Sequence, residues 1–192
     1  MKKTVFAAFV SAGVLLAAPS SAVNKESDAV KEIGKAASQQ LLKTLGGNLK
    51  KHLKAGGPEA ALRFCSGNAY SLTEKVDASL GSRISVKRIS RRYRNPQNAP
   101  DAGETAVLQI FDQMKKNGIE MPDALVQNLG NGTYRYYKPL VIAKGVCLKC
   151  HGDVQKSDPA LYSAIKSLYP DDRAMHYKMG DLRGAVVVEV QR

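Results

Sequence analysis

Cys147, Cys150 and His151 stand in the spacing C-x-x-C-H, and this short motif constrains the chain more than any other feature. On a helix, two thiols three residues apart lie on the same side, with the next imidazole beside them. The pattern is typical of proteins that carry a c-type haem: both sulfurs bond to the porphyrin edge and the histidine binds the iron. The motif therefore predicts one covalent haem c, with His151 as an iron ligand.

Two other kinds of site also use closely spaced cysteines. A thioredoxin-type C-x-x-C follows an early strand and opens a helix in a βαβ unit, whereas this motif comes late in the chain. A zinc site needs a fourth ligand, and His52 and His176 are isolated in the sequence. The sequence favours haem over both alternatives.

Residues 1–22 have the pattern of a secretory signal peptide. Lys2 and Lys3 precede an apolar run over residues 5–18, and small residues lie at positions 20–22, before Val23. The run is shorter than the roughly 20 apolar residues that span a bilayer, so we expect cleavage rather than anchoring. We expect a mature protein with no transmembrane span, located in the periplasm of a bacterium.

The chain is strongly basic, with 29 Lys and Arg against 17 Asp and Glu and a formal charge of +12. Removing Lys2 and Lys3 with the signal leaves a charge of about +10. An exported protein of this charge attracts acidic partners or anionic surfaces. Nucleic acid is not expected as a partner outside the cytoplasm.

The hydrophobic pattern predicts helices followed by strands. Apolar residues recur at three- and four-residue steps over residues 27–55, where Gly46-Gly47 can introduce a kink. Gly56-Gly57-Pro58 ends this helix and begins another. Further predicted elements are helices at 58–79, 101–117 and 159–168, strands at 83–90, 133–143 and 184–190, and a hairpin turn at 130–132. We expect an α+β fold, with an N-terminal helical segment (23–57) leading into a haem domain with an antiparallel sheet (58–192).

Cys65 is the third cysteine, and an odd number leaves one thiol unpaired in an exported protein. It lies on the apolar face of the second predicted helix and should point inward. A buried free cysteine can be a small hydrophobic residue or an iron ligand, and the residues alone leave both open. Met175, His176 and Met179 form a competing cluster of candidate ligands.

Residues 83–94 carry six basic side chains, which can be a solvated face or a site for carboxylates. Arginine binds carboxylates in a bidentate manner, and a haem carries two propionates. We expect one or two arginines of this run, or Arg183, to bind the propionates, with Arg91, Arg92 and Arg183 as the candidates.

Four segments together resemble a family of single-haem c-type domains with a PAS-like fold, first characterised in a cyanobacterial protein and formerly a domain of unknown function. They are Arg63-Phe64-Cys65, residues 91–100, residues 146–152 and residues 176–188. The resemblance implies that His151 and Cys65 hold the iron. It also implies a five-stranded, PAS-like antiparallel sheet that covers the haem.

An iron with both axial positions filled has no open site for oxygen activation, which disfavours an oxidase or peroxidase. We expect a redox or small-ligand sensor that responds to NO or CO, with a displaceable Cys65. The alternative is a single-haem electron carrier that docks on an acidic partner. A small redox enzyme with an open iron site is a third class, and no nucleophile–base pair suggests other catalysis.

Overall fold

A computed structural model describes residues 20–192, with side chains from Lys25 onward. The predicted signal segment lies almost entirely outside these residues. Within them, no helix combines the length and apolar character that crossing a bilayer requires. The elements in chain order are α1 (Ser20–Ser79), β1 (Ile84–Ile89), a 3-10 turn (Pro96–Asn98), α2 (Ala102–Lys116), β2 (Leu125–Gly130), β3 (Thr133–Val141), α3 (Gly145–His151), α4 (Val154–Ser157), α5 (Pro159–Leu168) and β4 (Leu182–Gln191).

The four strands form one antiparallel sheet in the order β1-β4-β3-β2, which confirms the predicted α+β fold. The last strand of the chain therefore lies inside the sheet, between β1 and β3. The fifth strand implied by the resemblance is not found among residues 20–192, so that expectation is wrong for this part of the chain. The segment between β3 and β4 forms α3, α4 and α5 instead.

Helix α1 is a hairpin of two antiparallel arms, 20–55 and 58–79. The backbone leaves the helical conformation at Gly56 and Gly57, where Gly57 has a φ of 70° that favours glycine. His52 of the first arm stacks on Phe64 of the second, with ring centroids 4.0 Å apart. The helix continues through Gly46-Gly47, so the break predicted from the glycines occurs only at the second pair.

The hydrophobic core lies on both faces of the sheet, because successive residues of β4 point in opposite directions. One face packs against the first arm of α1, in a cluster that contains Val30, Ala37, Leu41, Val186, Val188 and Val190. The other face packs against α2, in a cluster that contains Val107, Leu108, Phe111, Ala185 and Val187. The sheet is thus covered by one helical layer on each side.

Helix α2 is attached to the sheet by charged side chains. Asp101 and Glu104 form a capping box at its N-terminus. Arg135 of β3 donates to Asp101 at 2.8 Å and to Glu189 of β4 at 2.9 Å. Lys87 of β1 lies 2.8 Å from the buried Glu104 carboxylate. These contacts fix α2 over the sheet, where it forms one wall of a cleft described below.

Gly34 allows the first arm of α1 to approach the sheet closely. A Cβ atom at this position would lie 2.2 Å from Cγ of the Tyr136 ring, which is buried on β3. Any side chain here therefore requires the helix or the ring to move.

We expect Gly34→Ala to lower the free energy of unfolding by about 1–3 kcal/mol, because it overpacks the contact between α1 and β3. Gly46→Ala is the matched control, since a Cβ atom there has nothing within 4 Å. That control should raise stability by up to about 1 kcal/mol through helix propensity. Urea unfolding of both variants checks the prediction, and equal effects would contradict it.

Candidate functional site

The predicted haem motif forms a short helix of its own, α3. Cys147 and Cys150 are half-buried on it, and no disulfide joins them. The helix ends at Gly152, whose N–H donates to the Leu148 carbonyl at 2.8 Å. A Cβ atom at Gly152 would lie 2.7 Å from that oxygen, so the residue after the motif histidine is required to be small.

His151 is oriented by a backbone hydrogen bond. Its Nδ1 lies 2.7 Å from the carbonyl oxygen of Ala174, and its ring meets the Tyr177 ring edge-on, with centroids 6.1 Å apart. Burial lowers the pKa of His151 well below its ordinary value, and the positive charges of Arg183 and Arg94 lower it further. A neutral imidazole that donates through Nδ1 presents Nε2 as a metal ligand.

The loop before β4 is bound directly to the motif. The N–H of His176 donates to the Gly152 carbonyl at 2.9 Å, and the N–H of Tyr177 donates to the His151 carbonyl at 2.8 Å. His176 adopts a left-handed φ of 60° between these two contacts. The loop therefore follows the backbone of the motif and supplies the carbonyl that orients the histidine.

Cys65 lies on the second arm of α1, close to the motif. Leu62, one turn before it, packs in a cluster with Val154, Leu161, Ile165 and Met175, against which Cys150 also packs. Burial raises the pKa of the Cys65 thiol, while the positive charges of Arg88 and Arg94 oppose the rise. The negative charge of Cys65 in turn contributes to a raised pKa of Cys150, which is mainly due to burial. The second arm thus brings Cys65 and Cys150 into one electrostatic environment.

Met175, His176 and Met179, the competing candidate ligands, differ in how far they are buried. The His176 side chain is 61% exposed, with Nδ1 3.6 Å from an Asp153 carboxylate oxygen, and Met179 is 52% exposed. Met175 is buried in the cluster beside Cys150. Of these three residues, Met175 alone lies in the interior of the candidate site.

The fold can also be compared with the two alternative sites for a C-x-x-C motif, a thioredoxin-type site and a zinc site. Every strand pair in the sheet is antiparallel, so the βαβ unit of a thioredoxin-type site is not present in the described sheet. Between Lys25 and Arg192, no three side chains of His, Cys, Asp or Glu are grouped so that they could hold a metal ion.

Arginines surround the motif from several sides. Arg94 donates to the Cys150 carbonyl at 2.7 Å and to Asp172 at 3.0 Å. The guanidinium of Arg92 lies 4.2 Å from the centroid of the Tyr177 ring, and that of Arg183 lies 5.5 Å from it. Two of the three predicted arginines, Arg92 and Arg183, therefore lie beside the histidine's aromatic neighbour.

Three of the arginines have a buried Nε atom without a hydrogen-bond partner: Arg88, Arg94 and Arg183. Arg88 reaches the second arm of α1, where it donates to the Ala69 carbonyl at 3.4 Å. Arg91, also predicted from the sequence, instead forms an ion pair with Asp112 at 2.8 Å, and both side chains are partly exposed. The sequence showed Arg88 and Arg94 only as members of a charge run, and no local signal separates them from Arg91.

Together these features define a class: an α+β domain with an N-terminal helical hairpin that carries a free cysteine and a late C-x-x-C-H helix before its last strand. The sequence profile of the Tll0287-like family matches residues 17–191, and the chain belongs to this family. Among solved structures, it is similar to the cyanobacterial haem protein Tll0287, with 24% identity and a TM-score of 0.61. The match covers 91% of this chain and 98% of that one. A comparison with curated protein sequences finds no match.

The Arg94–Asp172 ion pair gives a stability prediction. The Asp172 side chain is fully buried and accepts from both Arg94 and the Ala174 N–H, so Asp172→Ala leaves a nearly buried charge unpaired. We expect a loss of roughly 3 kcal/mol in the free energy of unfolding. Glu59→Ala, which breaks the exposed pair with Arg63, should cost less than about 1 kcal/mol. Urea denaturation measures both, and similar losses would contradict the buried role of Asp172.

Proposed function

We propose that this protein is an exported single-haem c-type protein in which Cys147 and Cys150 form thioethers and His151 binds the iron. Three observations support the proposal. The motif is helical, which places its two sulfurs and its imidazole on one side. The Nδ1 of His151 is engaged by the Ala174 carbonyl, leaving Nε2 for a metal. The family relative Tll0287 is a haem protein.

The hydrogen bonding of the buried arginines indicates whether the residues around the motif fit a haem. A buried guanidinium nitrogen without a partner is costly, and such atoms ordinarily meet an acceptor. The Nε atoms of Arg88, Arg94 and Arg183 are buried guanidinium nitrogens without a hydrogen-bond partner. Haem propionates are carboxylates that would supply acceptors for such groups. The site fits the cofactor, and we assign propionate binding to these three arginines in place of Arg91.

Cys65 is the proposed second axial ligand. It lies on the second arm of α1, which contacts α5 and carries Leu62 in the cluster against which Cys150 packs. Without a metal, burial favours the neutral thiol, because it raises the pKa of Cys65. A bound metal ion deprotonates a coordinating thiol outright. His176 and Met179 are exposed, which leaves Met175 as the competing ligand.

The single observation that carries the functional proposal is the half-buried, unpaired thiol of Cys65, on the helical arm whose Leu62 packs in the cluster beside Cys150. Bound haem supplies a redox-active iron that exchanges small axial ligands. A thiolate binds ferrous iron less strongly than ferric iron, because the metal charge is lower. With haem bound, Cys65 would therefore be the residue that yields its place to NO or CO after reduction. Its release would free the second arm of α1 to move, which is the chemistry of a redox or small-ligand sensor.

The proposed location in the cell rests on the proposed covalent attachment of haem. We place the protein in the periplasm, where c-type haem is attached, and assign residues 1–22 as the segment that directs export. Three free cysteines, two of them used as thioethers and one as a ligand, are compatible with an oxidising compartment.

Absorption and EPR spectra of the ferric protein test the ligand assignment. Wild type should give a low-spin signal with thiolate character, and Cys65→Ala should lose that signal because it removes the sulfur. Met175→Leu is the matched control, since it conserves volume and removes the competing ligand. It should leave the spectra unchanged. Identical spectra for wild type and Cys65→Ala, with a change in Met175→Leu, would assign the iron to Met175.

The alternative function is a single-haem electron carrier, which the charge of about +10 that remains after removal of Lys2 and Lys3 favours, because a basic surface attracts an acidic partner. Addition of CO to the reduced protein distinguishes a sensor from an electron carrier. A sensor with a displaceable Cys65 should change its absorption spectrum. An unchanged spectrum, together with electron-transfer rates that fall as salt is raised, would favour the carrier.

A further inference from the structure

A cleft of about 460 Å³ opens on the side of the sheet that faces α2. One wall is the last two turns of α2, and the other is the start of β4 with the segment after β1. Leu108 in this wall packs with Ala185 and Val187, on the face of the sheet opposite to α1. Cys65 and Arg88 lie with α1 on the other face. The cleft therefore lies on the opposite face of the sheet from Cys65.

Positive charge dominates the lining of the cleft. Its basic side chains are Arg91, Arg92, Lys115, Lys116 and Arg183. Its two acidic side chains are each engaged by one of these cations: Asp112 pairs with Arg91 at 2.8 Å, and Asp181 pairs with Lys115. Lys116, Arg92 and Arg183 remain as positive charges with no carboxylate partner among residues 25–192. A concave site with this charge attracts anions.

The cleft also has an apolar part. Leu108, Leu182 and the Tyr177 ring line it between the charged groups. Small-molecule sites are typically concave and largely apolar, with a few polar groups that fix orientation. An inorganic anion would leave this apolar surface unused, whereas an organic anion can cover it with its carbon skeleton.

We propose that this cleft binds a small organic anion that carries two or more carboxylates. Carboxylates suit the guanidinium of Arg92 and the ammonium of Lys116, and the carbon skeleton contacts Leu108 and Tyr177. Of the three arginines assigned to the propionates, Arg88 and Arg94 are absent from the cleft lining and Arg183 alone belongs to it, so we assign the anion to Arg92 and Lys116.

The Tyr177 ring lies between the cleft and His151, the candidate iron ligand. Tyr177 lines the cleft, carries the Arg92 guanidinium on its face and meets His151 edge-on. An anion that draws Arg92 away from this ring changes the packing around His151. This coupling rests on the proposed haem function, whereas binding of the anion to the cleft does not.

Isothermal titration calorimetry of the full-length protein, purified with its haem, tests the proposal. Citrate and succinate are the probes, at low ionic strength, and both should bind. Lys116→Ala should weaken citrate binding about tenfold, because it removes one charge-assisted contact. Lys50→Ala is the matched control: Lys50 is an exposed helical lysine on the first arm of α1, away from the cleft, and its loss should leave the affinity unchanged.

Three results would overturn the cleft as an organic-anion site. They are no heat of citrate binding at millimolar concentration, equal weakening by Lys116→Ala and Lys50→Ala, or phosphate and sulfate binding as tightly as citrate. The haem absorption band, followed in the same titration, should shift with the same midpoint. A protein that binds citrate but contains no haem would refute the proposed function and leave the cleft proposal standing.

Discussion

The hydrogen bond between His151 Nδ1 and the Ala174 carbonyl is the contact on which the rest of the site depends. It fixes the tautomer and the ring orientation of the proposed iron ligand. Ala174 is held in turn by Asp172, which accepts its N–H at 2.8 Å and pairs with Arg94. Arg94 also donates a hydrogen bond to the carbonyl of Cys150, which belongs to the motif. The loop, the arginine and the motif thus form a closed set of contacts that orients the histidine independently of the sheet.

Local signals explain why much of the fold could be predicted. The helix predicted at 159–168 matches α5, because Asp158 caps it and Pro159 begins it. The hairpin turn at 130–132 was predicted correctly because its glycines adopt positive φ angles. Pro139 lies in β3, which is internal to the sheet, although proline is ordinarily confined to edge strands or bulges. The paired residues of β2 end opposite Tyr137, however, so Pro139 needs no hydrogen-bond donor on that side.

Long-range contacts explain what the sequence could not predict. Arg88 and Arg94 meet Ala69 and Cys150 across 19 and 56 residues, and a run of charges does not indicate which members turn inward. The same run contains Arg91, which turns to Asp112 on α2. The break of α1 at Gly56-Gly57, before Pro58, was predicted correctly, whereas the glycines alone did not show that the helix continues through Gly46-Gly47. The order of the strands among residues 20–192, with β4 between β1 and β3, likewise depends on contacts between distant parts of the chain.

The proposed function requires a covalent haem on Cys147 and Cys150, which mass spectrometry of the denatured protein detects. The chain is produced with its N-terminal segment in a host that matures c-type cytochromes. We expect a mass that exceeds the processed polypeptide by one haem, and the polypeptide mass alone for the double variant Cys147→Ser with Cys150→Ser. A wild-type protein with the mass of the polypeptide alone would rule out covalent attachment.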